Sequence, residues 1–151
     1  MSVKDEISFQ KEIIDSAKSI GGYGFKLSNR FTVGVPDLLI SITMYTPSLL
    51  ECKHLGAVVD DFDRQTGMTP LQREQMRRWN ATQPFAIAAQ LVFLKHHGSE
   101  RAVLIPAHID RIAHHYERLD QWVARNRTEP RWDVEALLRI LRRDPMFKSP
   151  V

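Results

Sequence analysis

The sequence predicts an α/β domain with a mixed central β-sheet flanked by helices. Three observations carry this. Two apolar runs of strand length, 35–42 and 48–55, are separated by a turn-prone Thr-Pro-Ser. A strongly capped helix follows them, and two more apolar runs come next, at 85–94 and 101–105. The resulting order of helix, hairpin, helix, two strands and helices is that of alternating rather than segregated elements. At 151 residues the chain fits one domain, 1–151, large enough to bury most of its apolar surface.

From the N-terminus, Lys4 to Ile20 places Ile7, Phe9, Ile13, Ile14, Ala17 and Ile20 at roughly helical spacing, and Gly21-Gly22 stops the run. Tyr23 to Leu27 reads as a short extended piece or a mobile loop. Val35–Ile42 and Ser48–Leu55 read as strands joined in an antiparallel hairpin. Gly56 to Gly67 is a polar loop carrying Asp60, Asp61 and Asp63. Thr69 to Thr82 is a helix, with Thr69 suited to the N-cap, Pro70 to the first helical position and Gln72 to the third. Phe85–Leu94 is apolar enough for a central strand, and HHGSE turns the chain into a further strand at Arg101–Ile105. His108–Arg125 and Asp133–Arg142 read as extra C-terminal helices, so the core spans about 4–106 and the helical extension 107–151.

Composition excludes several classes. A hydrophobic share of 43% and a charged share of 26% are those of a globular domain. No apolar run is long enough to span a bilayer, and MSVKDEISFQ lacks a signal-peptide core, so no membrane partner and a cytoplasmic location are expected. The single cysteine rules out an internal disulfide and a Cys-rich zinc site. His96-His97 and His114-His115 lack further ligands at zinc spacing. A net charge of +3 is compatible with nucleic acid without requiring it.

The hairpin carries the chemistry. Side chains alternate along a strand, so Glu51 and Lys53 share a face and Cys52 points to the other. A Glu-x-Lys triplet is common as a solvated strand face. Asp37, however, stands at the entrance of the preceding strand, where the hairpin can bring it close to Glu51. Two converging carboxylates repel unless a cation lies between them, and their hard oxygens suit Mg2+ or Mn2+. An adjacent lysine could orient a metal-bound water for attack on a phosphate.

Val35-Pro36-Asp37 followed by Glu51-Cys52-Lys53 resembles the PD-(D/E)xK nuclease signature. The Gly34-Val35-Pro36-Asp37-Leu38-Leu39 and Leu50-Glu51-Cys52-Lys53 forms are similar to those of the VRR-NUC and Holliday-junction-resolvase branches. Glu12, nine residues ahead of Gly21, matches a glutamate of those families' first helix. Thr69-Pro70-Leu71-Gln72 matches the Ser/Thr-Pro-x-Gln that opens their next helix. The likeness covers roughly residues 6 to 105. It implies a restriction-endonuclease-like core and a metal held by Asp37, Glu51 and the backbone carbonyl of Cys52. In the same terms, Lys53 would position water and stabilise charge on the phosphate. Glu12 would complete the acidic cluster around the metal or hold a metal-bound water, and Gln72 would support the site near Lys53 or the scissile phosphate.

Simpler readings stand beside these roles. Glu12 shares its helix with Glu6, Lys11 and Asp15, a solvated face, and a capping box alone accounts for Gln72. Cys52 reads as a packed thiol, and His54 as an ordinary hydrogen-bonded histidine. For DNA contact, the helix from Pro70 offers Arg73, Arg77 and Arg78, and the 23–31 segment offers Lys26 and Arg30. The expected function is Mg2+- or Mn2+-dependent cleavage of DNA, selective for branched structure, by a small phage- or prokaryote-type recombination nuclease. A junction needs two cuts and therefore a homodimer. The alternatives are a restriction-type or nicking nuclease on plain duplex, and a non-cleaving DNA-binding or inhibitory protein on the same fold.

Overall fold

The computed structural model describes residues 3–27, 35–58, 65–82, 86–96, 99–112 and 132–147. Helix α1 (Val3–Ser19) buries Phe9, Ile13 and Ala17 in one stripe, four residues apart. It ends at Gly21, whose φ of +81° is a left-handed conformation that glycine adopts without strain. Strands β1 (Tyr23–Lys26), β2 (Leu38–Ser41) and β3 (Ser48–Val58) follow. Helix α2 (Pro70–Thr82), strands β4 (Ile87–His96) and β5 (Ser99–Pro106), and helix α3 (Val134–Arg143) complete the order, with a short 3-10 turn at Pro145–Phe147. No helix among the described residues is long and apolar enough to cross a membrane.

The five strands form one mixed sheet in the order β1-β2-β3-β4-β5. All neighbours are antiparallel except β3 and β4, which run parallel. A parallel neighbour cannot be reached through a tight turn, and α2 supplies the crossover. Alternation along the strands then sorts the two faces. Leu38, Ile40, Leu50 and Cys52 join the core beneath α1 and α3. Leu49, Ala88 and Ala107 pack with Met68 and Met76 beneath α2. In α3, Val134, Leu137, Leu138 and Leu141 are buried, and Asp133 caps the helix by accepting the Ala136 N–H at 2.9 Å. Trp132 stands edge-on to both Phe9 and Phe93, fastening this C-terminal piece to α1 and the sheet.

Several boundaries differ from the sequence reading. The strand expected over 35–42 begins only at Leu38. Pro36 has no N–H to offer a ladder, and Asp37 turns its carboxylate onto the neighbouring strand. β3 runs on to Val58, past the expected Leu55, with a register shift between His54 and Ala57. The helix expected over 108–125 is absent from its first residues: Asp110 and Arg111 lie beside the 65–66 segment, through the Gln65–Arg111 bridge and the Thr66 N–H donated to the Asp110 carbonyl. The remainder of that range, like Arg30 and the acidic loop residues 60, 61 and 63, lies outside the described residues.

Candidate active site

The site grows out of a mismatch in strand length. β2 pairs with β3 only over Ser48 to Leu50, whereas β3 continues to Val58. Beyond Leu50 the edge of β3 facing β2 therefore has amides with no ladder partner on that side among the described residues, and buried amides need one. Asp37, the residue just before β2, provides it: its Oδ2 accepts the Cys52 N–H at 2.9 Å. The N–H and C=O of one strand residue face the same neighbour, so the Cys52 carbonyl is directed to this same edge. The next amide on the edge, that of His54, lies close enough to the Glu6 carboxylate to favour its charged form.

Glu51 and Lys53 face the α2 side, as alternation requires. Lys53 Nζ lies 3.6 Å from Glu51 Oε1, with both side chains largely buried. Gln72 Nε2 donates to the same Glu51 oxygen at 3.0 Å. Gln72 has two simultaneous jobs, because its Oε1 accepts the Thr69 N–H at 3.0 Å while the Thr69 hydroxyl accepts the Gln72 N–H at 3.1 Å. The capping box orients the amide, and the amide orients Glu51. The turn entering α2 lies against Lys53: Gly67, at φ +80°, faces the lysine's methylenes. That turn is tied down by Gln90, which is in register with Glu51 on β4 and donates to the Thr66 carbonyl.

The site is short of positive charge. Burial, then the repulsion of Asp37, raises the Glu51 carboxyl to about 8, with Lys53 opposing and Glu6 adding to the rise. Burial also raises Glu6, against the attraction of Lys53. Cys52 is fully buried, and burial foremost drives its thiol upward, as a packed and unreactive residue requires.

The expected residues divide clearly. Asp37, Glu51, Lys53 and Gln72 converge. Glu12 does not: its Oε2 accepts the Trp132 indole N–H at 2.9 Å, on the side of α1 that meets the C-terminal piece. The helix carboxylate that faces the cluster is Glu6. Six residues separate the two, roughly 120° around a helix. Glu6 continues the buried stripe of Phe9, Gln10 and Ile13 at spacings of three, four and seven, which turns it toward the sheet without by itself setting it beside Asp37 and Glu51. Gln90 and Thr66 also escaped the sequence reading, since nothing local marks a polar residue in an apolar strand as an anchor. His54 is not the ordinary hydrogen-bonded histidine expected. Its ring stacks on Phe93 at 4.3 Å, and its Nδ1 meets no hydrogen-bond partner among the described residues.

Of the basic residues, Arg73 reaches toward Asp110 at 3.9 Å and is mostly covered. Arg77 and Arg78 share Glu74 and remain exposed. Lys26 is exposed at the end of β1.

Among the described residues, no three His, Cys, Asp or Glu side chains form a ready metal cage. The donors that converge are two carboxylates and one carbonyl edge. That set suits a hard ion that keeps several of its waters, as Mg2+ does. The unbalanced buried negative charge fits such an ion as well. No protein-family model matches the chain, and no curated protein matches it.

Proposed function

We propose that the chain is a divalent-metal-dependent endodeoxyribonuclease of the PD-(D/E)xK type, with a restriction-endonuclease-like core akin to those of VRR-NUC and junction-resolving nucleases. One observation carries the reading: Asp37, Glu51 and Lys53, from two strands, meet in a buried corner where carboxylates outnumber the cation. An ordinary strand face would splay these charges into water.

Asp37, Glu51 and the Cys52 carbonyl would hold Mg2+ or Mn2+. When bound, the ion supplies Lewis-acid polarisation of a phosphate and an activated water. Lys53, on the Glu51 face, orients the attacking water and stabilises charge on the phosphate. Gln72 keeps Glu51 from rotating away, and Glu6 closes the acidic side. Arg77, Arg78 and Lys26 contribute exposed positive charge for the DNA backbone. Selectivity for branched DNA, with two copies of the chain making paired cuts, follows the resemblance set out above.

The test is cleavage of a four-way junction, a flap, linear duplex and single strand, each with and without Mn2+. Metal-dependent cutting of at least one form, lost in Glu51→Gln and Lys53→Ala while both variants stay folded and bind DNA, is the expected result. No metal-dependent cutting of any of these forms would remove the proposal.

A further inference from the structure

The face of α2 that delivers Gln72 to Glu51 continues beyond the site. Gln75, Met76 and Trp79 follow Gln72 by three, four and seven residues, so all four share one side of the helix. Opposite them lie Leu49 of β3, Val35 and Pro36 ahead of β2, and Leu27 at the end of β1. Between these walls is a cleft of about 230 Å³. Gln75 is its single amide, and the other lining side chains are apolar. Met76 is buried, whereas Trp79 is 38% exposed. The walls of the cleft adjoin the acidic corner: Pro36 precedes Asp37, Leu49 lies two residues before Glu51 on the same strand face, and the Leu27 N–H donates to the Asp37 carbonyl at 2.7 Å.

We propose that this cleft receives one unpaired nucleobase of the DNA strand whose phosphate sits at Asp37, Glu51 and Lys53. The proposal rests on the nuclease reading and specifies the substrate. The lining suits an occupant with an apolar face and an edge that can hydrogen-bond to Gln75, and on the nuclease reading that occupant carries a phosphate toward the metal site beside Lys53. Exposed cationic groups, Arg77 and Arg78, border the same helix. A nucleotide has both halves. Its base stacks on Trp79 and Met76 and offers its edge to the Gln75 amide, while its phosphate reaches Lys53. A base inside a duplex has both faces stacked and must leave the helix to be bound in this way. The cleft therefore favours strands with an unpaired nucleotide beside the cut, as at a branch point, flap or single strand. Aromatic stacking accepts any base, so no sequence preference is implied.

The experiment uses the full chain and a short single-stranded oligonucleotide carrying 2-aminopurine, first in EDTA to measure binding and then with Mn2+ to measure cutting. Binding quenches the 2-aminopurine emission. Trp79→Ala should weaken binding roughly 5- to 10-fold and remove the quench, while Trp79→Phe keeps most of both. An abasic nucleotide should reproduce the loss in the wild-type chain and add nothing in Trp79→Ala. If Trp79→Ala cuts and binds as the wild type does, the cleft proposal is overturned and the nuclease reading stands. Trp79-dependent binding without cutting by any metal overturns the nuclease reading and supports the cleft. If Trp79→Ala instead splits a dimer in sedimentation, with DNA affinity per protomer unchanged, a second copy occupies the cleft and the proposal falls. Failure to bind any oligonucleotide overturns both.

Discussion

Glu51 is held between a proton and a cation. Its carboxyl is raised from the ordinary 4.5 to about 8, chiefly by burial and then by Asp37. The folded state therefore binds the proton more tightly than the unfolded chain does. The stabilising contribution is complete below about pH 4.5 and is lost as pH rises through about 8. In EDTA, the thermal midpoint should fall between pH 5 and pH 8 in the wild type and change less in Glu51→Gln. Mg2+ should raise the midpoint more at pH 8 than at pH 5, because the deprotonated carboxylate is the ligand. Calorimetry at the two pH values checks both, and a pH-independent Mg2+ effect would count against Glu51 as a ligand. The same scale separates Glu6 from Glu12. Glu6→Gln should lower metal-dependent cleavage with little change in stability. Glu12→Gln, which weakens the bond from Trp132, should cost about 1 kcal/mol and leave cleavage near the wild type. The reverse pattern would restore Glu12 to the site.

At the scale of elements, α2 acts as a lever between the sheet and the site. Its N-terminal end carries the Thr69–Gln72 box that grips Glu51. Its far end is pinned by Asn80, whose amide donates to the Ala88 carbonyl at 2.8 Å and accepts the Ala88 N–H at 2.7 Å. Removing that pair in Asn80→Ala should cost about 2 kcal/mol, from two hydrogen bonds and the backbone groups left unpartnered. Thr69→Ala should cost about 1 kcal/mol as a lost N-cap. It should also lower cleavage at substrate saturation, because a frayed first turn no longer fixes the Thr69 N–H that the Gln72 amide accepts. Denaturant unfolding alongside turnover distinguishes the two. A Thr69→Ala protein that is less stable but fully active would mean that Gln72 does not need the cap.

Across the whole molecule, the sheet buries one face under α1 and α3 and the other under α2, leaving the corner past the end of β2 as the place where charge gathers. With a net charge of only +3, the DNA affinity that the proposed nuclease function requires would have to come from local contacts with the phosphate backbone. Binding should still weaken steeply with salt, as released counterions require. A titration between 50 and 200 mM salt measures the slope, and a flat response would argue against nucleic acid as the ligand.

The sequence by itself determined the α/β order, the hairpin and the capping box, because strand alternation, helix spacing and Thr-Pro-x-Gln chemistry are all local. It also marked Asp37, Glu51 and Lys53, since charges within or at the mouth of apolar runs stand out against their neighbours, and the Thr69-Pro70-Leu71-Gln72 box marked Gln72. Only the tertiary structure decided which helix carboxylate belongs with them. Glu6 and Glu12 sit on the same polar-looking helix, and the choice depends on the angle at which α1 crosses β3 and on where Trp132 docks. The late start of β2 was likewise hidden, because a proline and an aspartate relinquish a ladder only when a longer neighbouring strand has amides for the aspartate to take. Gln90 shows the same limit: its value as an anchor lies in the Thr66 carbonyl, twenty-four residues away in the chain.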